Sequence, residues 1–305
     1  MLKNILLYFL KFDIGIYCCM IKKNIIFIIL LSLPLVASAQ TVLEKNVLDI
    51  LQNTEKGEAY LNGYLQPMVT AFGTVLGGGL YHRADTKTFP HFDIAVNAVN
   101  VIIPDKAKSF NTSGHNVPTV FGSKETNLLA TPGIDLTRLD IPFIQLNLGL
   151  SGEFEMMFRG WPKFYLADIG QARYYGVGVK YGLSDLVDSP TFPLNMSVQG
   201  AYHLMRIDGW LTIGTFGMNI LWSRKLDILP LGIYGGVGYD VTSTNVYTDK
   251  VTGNAENSSR ELKLKGLNGI RANLGLSFTI SIFTINADYN FSYYHSIAAG
   301  FIIGL

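Results

Sequence analysis

The sequence predicts an all-β fold: a transmembrane antiparallel β-barrel of about ten strands, with twelve as the alternative count, preceded by an N-terminal helical segment. Three observations carry this expectation. Segments about ten residues long alternate apolar residues with polar or small ones. No apolar run after residue 39 approaches the roughly 20 residues that a membrane helix needs. The 305 residues are 49% apolar and only 15% charged, at a formal net charge of +1. That balance excludes a disordered chain and a nucleic-acid footprint resting on net charge, and it leaves more apolar surface than a soluble domain hides.

The first forty residues read as targeting sequence. Met20-Ile21-Lys22-Lys23 is a basic start, Ile25 to Val36 an apolar run too short to span, and Ala37-Ser38-Ala39 a small-residue cleavage site. Cleavage is expected between Ala39 and Gln40, with Met20 as the true start, so that residues 1–39 are an upstream extension plus signal peptide. Both cysteines, Cys18 and Cys19, fall in this segment, so the mature chain holds neither a disulfide nor a Cys-ligated metal. Removing Lys3, Lys11, Lys22, Lys23 and Asp13 from 24 cations and 23 anions leaves 20 and 22, a net charge of −2.

Residues 40–76 carry helical spacing. Leu61, Tyr64, Leu65, Met68, Val69 and Phe72 share a face, Val47, Leu48 and Leu51 hint at an earlier helix, and Pro67 is expected to kink or divide the second one. A helix ahead of the first strand either plugs the lumen or sits in the periplasm, and the plug is favoured. Gly77-Gly78-Gly79 gives it a flexible exit into a barrel expected over residues 77–305.

The strands follow by period two. Ala272, Leu274, Leu276, Phe278 and Ile280 form one stripe, then Phe283, Ile285, Ala287, Tyr289 and Phe291, then Ile297, Ala299, Phe301, Ile303 and Leu305. Earlier stripes are Leu231 to Val241, Phe216 to Trp222, Met196 to Leu204 and Tyr175 to Tyr181. Soluble strands average about 5 to 6 residues and expose Lys and Glu, whereas these run longer and pair the apolar face with Gly, Asn and Ser. Residues 144–158 alternate without a break through Ser151-Gly152, so they form either one long strand or a hairpin. In the first case Thr74 to Ala84 and Phe92 to Ile103 make the first hairpin; in the second only Phe92 to Ile103 precedes. Both give ten strands, and twelve result if part of Lys106 to Leu139 also pairs. Trp161, Trp210, Trp222, Tyr174, Tyr293 and Tyr294 near strand ends suit an interfacial girdle. If the last strand descends to the periplasm, Thr242 to Leu262 is an external loop and Ile280-Ser281 an internal turn.

A charge on the lipid face at the bilayer midplane costs roughly 2–4 kcal/mol, so Glu153, Glu155, Arg173, Lys180, Asp240, Arg271 and Asp288 are expected to face the lumen. Together with Tyr234 they form either an ion-paired network filling a narrow barrel or a polar port that orients the head of an amphipathic cargo. No catalytic site is expected. His203 and Ser197 share a face but lie six residues apart, roughly 20 Å along a strand, and His295-Ser296 point to opposite faces. His82 and His91 flank Asp85 in what reads as a solvated turn, so neither metal nor cofactor is expected. Gly232, Gly235, Gly236 and Gly238 lie in a strand pattern with no helix start behind them, which argues against a phosphate loop.

Tyr60-Leu61, Pro67, Gly73, Tyr81, Gly149-Leu150, Arg159-Gly160-Trp161-Pro162 and Tyr175-Gly176-Val177-Gly178-Val179-Lys180 make the mature chain resemble an uncharacterised family of outer-membrane barrels from Bacteroidota. That family is distantly similar to FadL-type long-chain fatty-acid transporters. The resemblance implies an N-terminal plug, a hydrophobic ligand pocket and sideways release of cargo through a gap in the wall. The function expected is a channel or transporter for a small hydrophobic or amphipathic molecule in the cell outer membrane, with membrane lipid as partner. The alternative is a structural or adhesion barrel with a plugged lumen and partner-binding loops, and a more distant one is a lipid-modifying enzyme.

Overall fold

The structure is a computed structural model that describes residues 41–52, 57–125, 130–183, 194–226, 229–248, 251 and 261–305. The expected signal peptide and its cleavage between Ala39 and Gln40 lie outside these residues. Helix α1 spans Val42–Gln52 and α2 spans Gly57–Gly77. The strands are β1 Phe92–Ile102, β2 Ser109–Thr112, β3 His115–Pro118, β4 Arg138–Gly149, β5 Phe154–Leu166, β6 Gly170–Gly182 and β7 Asn195–Ile207. They continue as β8 Leu211–Lys225, β9 Leu231–Tyr247, β10 Glu261–Lys265, β11 Ile270–Ile280, β12 Phe283–Phe291 and β13 Ser296–Gly304.

Ten strands close into one antiparallel barrel in the order β1-β4-β5-β6-β7-β8-β9-β11-β12-β13, with β13 returning to β1. Closure pairs each strand with a neighbour on both sides, the loop-end halves of β4 and β5 excepted, and such pairing is the condition for strands to cross a hydrocarbon layer. Strand β10 pairs with the far end of β9, and β2–β3 is a separate hairpin in the connection from β1 to β4. The registers of neighbouring strands, carried once round the barrel, give a stagger of twelve residues. A stagger of that size belongs to steeply tilted strands and a narrow barrel.

The pleat divides the side chains. On β6 Tyr175, Val177, Val179 and Tyr181 are exposed, while Tyr174, Gly176, Gly178 and Lys180 are buried. Ile94, Met218, Val237, Leu276, Ile285 and Phe301 extend this apolar exterior to the other strands. The interior carries Asn97, Gln145, Gln199, Asn219, Asn273 and Asn286, all buried. Apolar outside and polar inside is the inverse of a soluble sandwich and the pattern of a membrane-spanning barrel.

The two ends differ. At one, β1 begins and β13 ends, with Phe92 N–H donating to the Leu305 carbonyl at 2.8 Å; the described connections there are 150–153 and 281–282. The other end carries the described connections 167–169, 208–210 and 292–295, together with the hairpin β2–β3 and strand β10. These are called the turn end and the loop end, and short turns belong on the periplasmic side.

The N-terminal segment runs through the barrel. At the loop end Leu43 N–H donates to the Asp168 carbonyl at 3.0 Å, and the Tyr64 hydroxyl donates to Pro132 at 2.8 Å. Helix α2 then descends, with Asn268 Nδ2 donating to the Thr70 carbonyl and to Thr74 Oγ1, both at 3.1 Å. Residues 78–91 continue to the turn end, where Gly149 N–H donates to the His91 carbonyl at 2.9 Å. Leu61, Leu65, Met68, Val69, Phe72, Val75 and Leu76 are all fully buried, as an apolar helix enclosed on every side must be.

Several expectations are corrected. The run through Ser151-Gly152 is a hairpin: Gly152 and Glu153 both have positive φ, a turn that alternation alone does not reveal. Thr74 to Ala84 is the end of α2 and part of the lumen segment, not a strand, and β4 begins at Arg138. Pro67 lies inside a continuous α2, because burial on all sides outweighs one missing hydrogen bond. Of the expected girdle aromatics, Tyr174, Trp210 and Tyr294 are buried inside.

Gly79 is the residue this threading needs most. Its φ is +59°, and a Cβ there would sit 3.0 Å from that of Ala298 and 3.3 Å from a methyl carbon of Val99. Gly79→Val, β-branched in the left-handed region against a packed wall, is expected to cost about 1–3 kcal/mol. The measurement is the urea midpoint of the folded, fast-migrating form in detergent.

Candidate functional site: the lumen, its plug and an unpaired seam

The barrel interior holds two charged clusters. In the first, on the wall of β8, β9, β11 and β12, Arg271 Nε donates to Asp240 Oδ2 at 2.8 Å, Nη2 to Asn219 Oδ1 at 2.6 Å and Nη1 to Asn290 Oδ1 at 3.4 Å. Beside it the Tyr234 hydroxyl donates to Asp288 Oδ2 at 2.9 Å and accepts from Asn286 Nδ2 at 3.0 Å. Gly77, at the end of α2, comes so close to Asp240 that a Cβ would stand 2.7 Å from Oδ2.

The second cluster lies at the turn end and ties the lumen segment to the wall. Arg83 Nη2 bridges Asp93 Oδ2 and Glu155 Oε2, both at 2.9 Å, and Nη1 reaches Asp85 Oδ2 at 3.1 Å. Lys180 Nζ pairs with Glu155 Oε1 at 2.7 Å, Lys87 pairs with Asp93, and Thr86 donates to Glu153 Oε2 at 2.7 Å. Burial works to raise the Asp85 carboxyl, but Arg83 beside it, with Lys180 and Lys225, outweighs that and holds it below the ordinary carboxylate value.

Of the lumen residues expected from sequence, Glu155, Lys180, Tyr234, Asp240, Arg271 and Asp288 thus face inward, while Glu153 sits on the β4–β5 turn at the rim. Arg173 is a correction. It shares the parity of Tyr175 and Val177, is exposed on the outer face near the loop end, and stands opposite Arg206. The penalty that should send a charge inward applies at the bilayer midplane and fades toward the interface. His82, Asp85 and His91 do not form a metal cluster: Asp85 bonds Arg83, His91 Nδ1 meets the Thr88 carbonyl at 3.0 Å, and no metal-type group of three occurs among the described residues. His203 meets Tyr174, its Nδ1 2.8 Å from the hydroxyl, rather than a serine.

Two features went unread in the sequence. Arg83 lies off the strands, where no period marks it. Arg159 shares inward parity with Glu155, but in the sequence it stands out only within Arg159-Gly160-Trp161-Pro162. Arg159 Nη1 donates to the carbonyls of Gly78 at 2.8 Å and Leu76 at 3.5 Å, holding the C-terminal end of α2 where the helix dipole is negative. Its guanidinium lies 3.9 Å from the Phe143 ring centroid, and its Nε and Nη2 have no hydrogen-bond partner among the described residues.

Arg159 also stands at a break in the wall. Strands β4 and β5 pair only from Gly149↔Glu155 to Ile144↔Gly160. Beyond that, β4 stays paired to β1 as far as Arg138, and β5 stays paired to β6 as far as Leu166, so the two part over their loop-end halves. Pro142 on one edge and Pro162 on the other lack the N–H a ladder needs, and a register irregularity between Trp161 and Phe164 turns β5 aside. At the foot of this seam lies an outer-wall hollow of about 430 Å³, bounded by Ile144, Leu146, Phe158, Tyr175 and Val177 and floored by Arg159 and two glycines. Phe143 and Tyr174 lie just inside, ring centroids 4.8 Å apart.

Replacing Arg83 by Met leaves Asp93 without its guanidinium partner and Glu155 with Lys180 and the Lys87 N–H alone. The expected destabilisation is about 3–5 kcal/mol, read as a lowered urea midpoint. Because the folded carboxyl of Asp85 is depressed, its contribution is complete above its unfolded pKa and is lost as the pH falls through the folded value. The midpoint is therefore expected to fall below about pH 4, and less steeply in Asp85→Asn.

Solved structures similar to this chain include Neisserial surface protein A, at 9% identity and TM-score 0.28, covering 70% of this chain and 96% of that one. The outer membrane protein Omp33 of Acinetobacter baumannii has 8% identity and TM-score 0.28, covering 73% and 99%. The toluene transporter TbuX of Ralstonia pickettii has 8% identity and TM-score 0.24, covering 74% and 90%. No match is found among curated proteins. One family does match, over residues 21–305, a span that takes in the plug, both charged clusters and the whole barrel: the chain belongs to the family of unknown function DUF6588.

Proposed function

We propose that this protein spans an outer membrane with its turn end in the periplasm, and passes a small hydrophobic or amphipathic molecule sideways between bilayer and lumen. The observation that carries the reading is the parting of β4 and β5 beyond Ile144↔Gly160. A closed ladder satisfies every backbone group in lipid, and a stretch left unpaired forfeits that, so a seam in this position calls for a use. Its inner margin is aromatic at Phe143 and Tyr174, and Arg159 supplies a cation for a polar head.

The filled lumen favours a second reading, a structural or adhesion barrel whose loops bind a partner. Both readings agree that α2 and residues 78–91 block a continuous water path, so the intact chain is expected to carry no steady ionic current in a planar bilayer. They differ at the seam. An alkyl probe carrying a diazirine, dissolved in the bilayer and photolysed, is expected to label Phe143, Phe164 and Tyr174 as well as outward residues such as Val177, read by peptide mass spectrometry. Labelling confined to outward residues refutes lateral passage and leaves the structural reading.

A further inference from the structure

Arg173 on β6 and Arg206 on β7 are direct register partners, and both are exposed on the outer face of the barrel. Lys163 on β5 is exposed too. It lies in the irregularity between Trp161↔Tyr174 and Phe164↔Ala172, which places it against Arg173. Three cations therefore stand side by side on three adjacent strands, across roughly 10 Å at the usual strand spacing. Like charges set directly opposite one another destabilise a sheet. None of the three has a hydrogen bond or ion pair with a described residue. Other cations at the loop end do: Arg138 has Asp140 at 3.6 Å, and Lys124 has Asp168 at 3.1 Å.

Their level on the wall is marked by tyrosines. Tyr165, Tyr175 and Tyr202, on the same three strands, are exposed on the outer face. Exposed tyrosines on a barrel wall mark the headgroup layer, so the cations face lipid heads rather than acyl chains. Asp208, two residues beyond Arg206 on the same face, accepts from Gln171 N–H at 3.0 Å and pairs with none of the three cations, so among the described residues the patch has no paired counter-charge.

We propose that Lys163, Arg173 and Arg206 bind the phosphomonoester headgroup of a membrane lipid in the leaflet at the loop end. The proposal rests on the membrane-spanning reading above and is independent of lateral passage. A phosphodiester offers a single negative charge to three cations. A phosphomonoester carries about −1.5 to −2 at neutral pH and three acceptor oxygens. Two guanidinium forks can each engage it through paired N–H groups, and a lysine adds a point charge.

The test uses the full mature chain, first inserted into phosphatidylcholine nanodiscs and checked by heat-modifiable gel migration. Detergent-solubilised protein is then titrated with phosphatidic acid, a phosphomonoester, or phosphatidylglycerol, a phosphodiester, and bound lipid is counted by native mass spectrometry. One phosphatidic acid is expected per barrel, retained with about tenfold preference over phosphatidylglycerol. The triple variant Lys163→Gln, Arg173→Gln, Arg206→Gln is expected to lose that preference, while Arg138→Gln keeps it. Equal retention of the two lipids by the native chain, or unchanged preference in the triple variant, overturns the site alone. Failure of the native chain to insert overturns the membrane reading and the site with it.

Discussion

A sheet closed on itself in lipid has nowhere to send its polar side chains but inward, and the rest of this structure follows from answering them there. The wall presents Asp93, Glu155, Lys180, Asp240, Arg271 and Asp288 to a narrow interior. Burying ions is costly unless they are paired and hydrogen-bonded, and the wall alone does not balance the turn-end set. Arg83, brought in by the lumen segment, supplies the charge that Asp93 and Glu155 lack. The plug therefore completes the electrostatics of the barrel as well as filling its space.

The barrel was legible because lipid on one side and a polar lumen on the other write themselves as period two, and that period survives along β6, β7, β9, β11 and β12. The β4–β5 hairpin was not, since a turn of even length preserves parity and Ser151-Gly152 leaves no break in the alternation. The helical spacing of Leu61 to Phe72 was readable, but not its continuity through Pro67, which depends on enclosure. Which strands fail to pair is a relation between distant segments, so the seam had no local signal beyond Pro142 and Pro162.

Within the site, parity located Glu155, Lys180, Asp240, Arg271 and Asp288, because each lies well inside a strand. The same parity puts Arg173 beside Tyr175 and Val177 on the outer face. Only an assumption that every charge shuns lipid placed it in the lumen, and that assumption weakens at strand ends. Arg83 and Asp85 escaped because residues 78–91 have no regular structure to impose a period. Arg83 is placed by carboxylates on β1 and β5, and Asp85 by Arg83 and by Lys180, whose Nζ donates to its carbonyl at 3.0 Å, contacts that form only on folding.

The path of the N-terminal segment has a topological consequence. Ten strands alone would leave both ends of the barrel sequence on one side of a bilayer. Helix α2 and residues 78–91 add an eleventh passage, made inside the protein rather than through lipid, so Leu43 and Leu305 lie at opposite ends of the barrel. A chain enclosed in this way cannot be slipped into a finished cylinder without drawing α1 and α2 through it. Closure of β13 onto β1 is then the step that locks the passenger in, and the order of assembly becomes wall around thread.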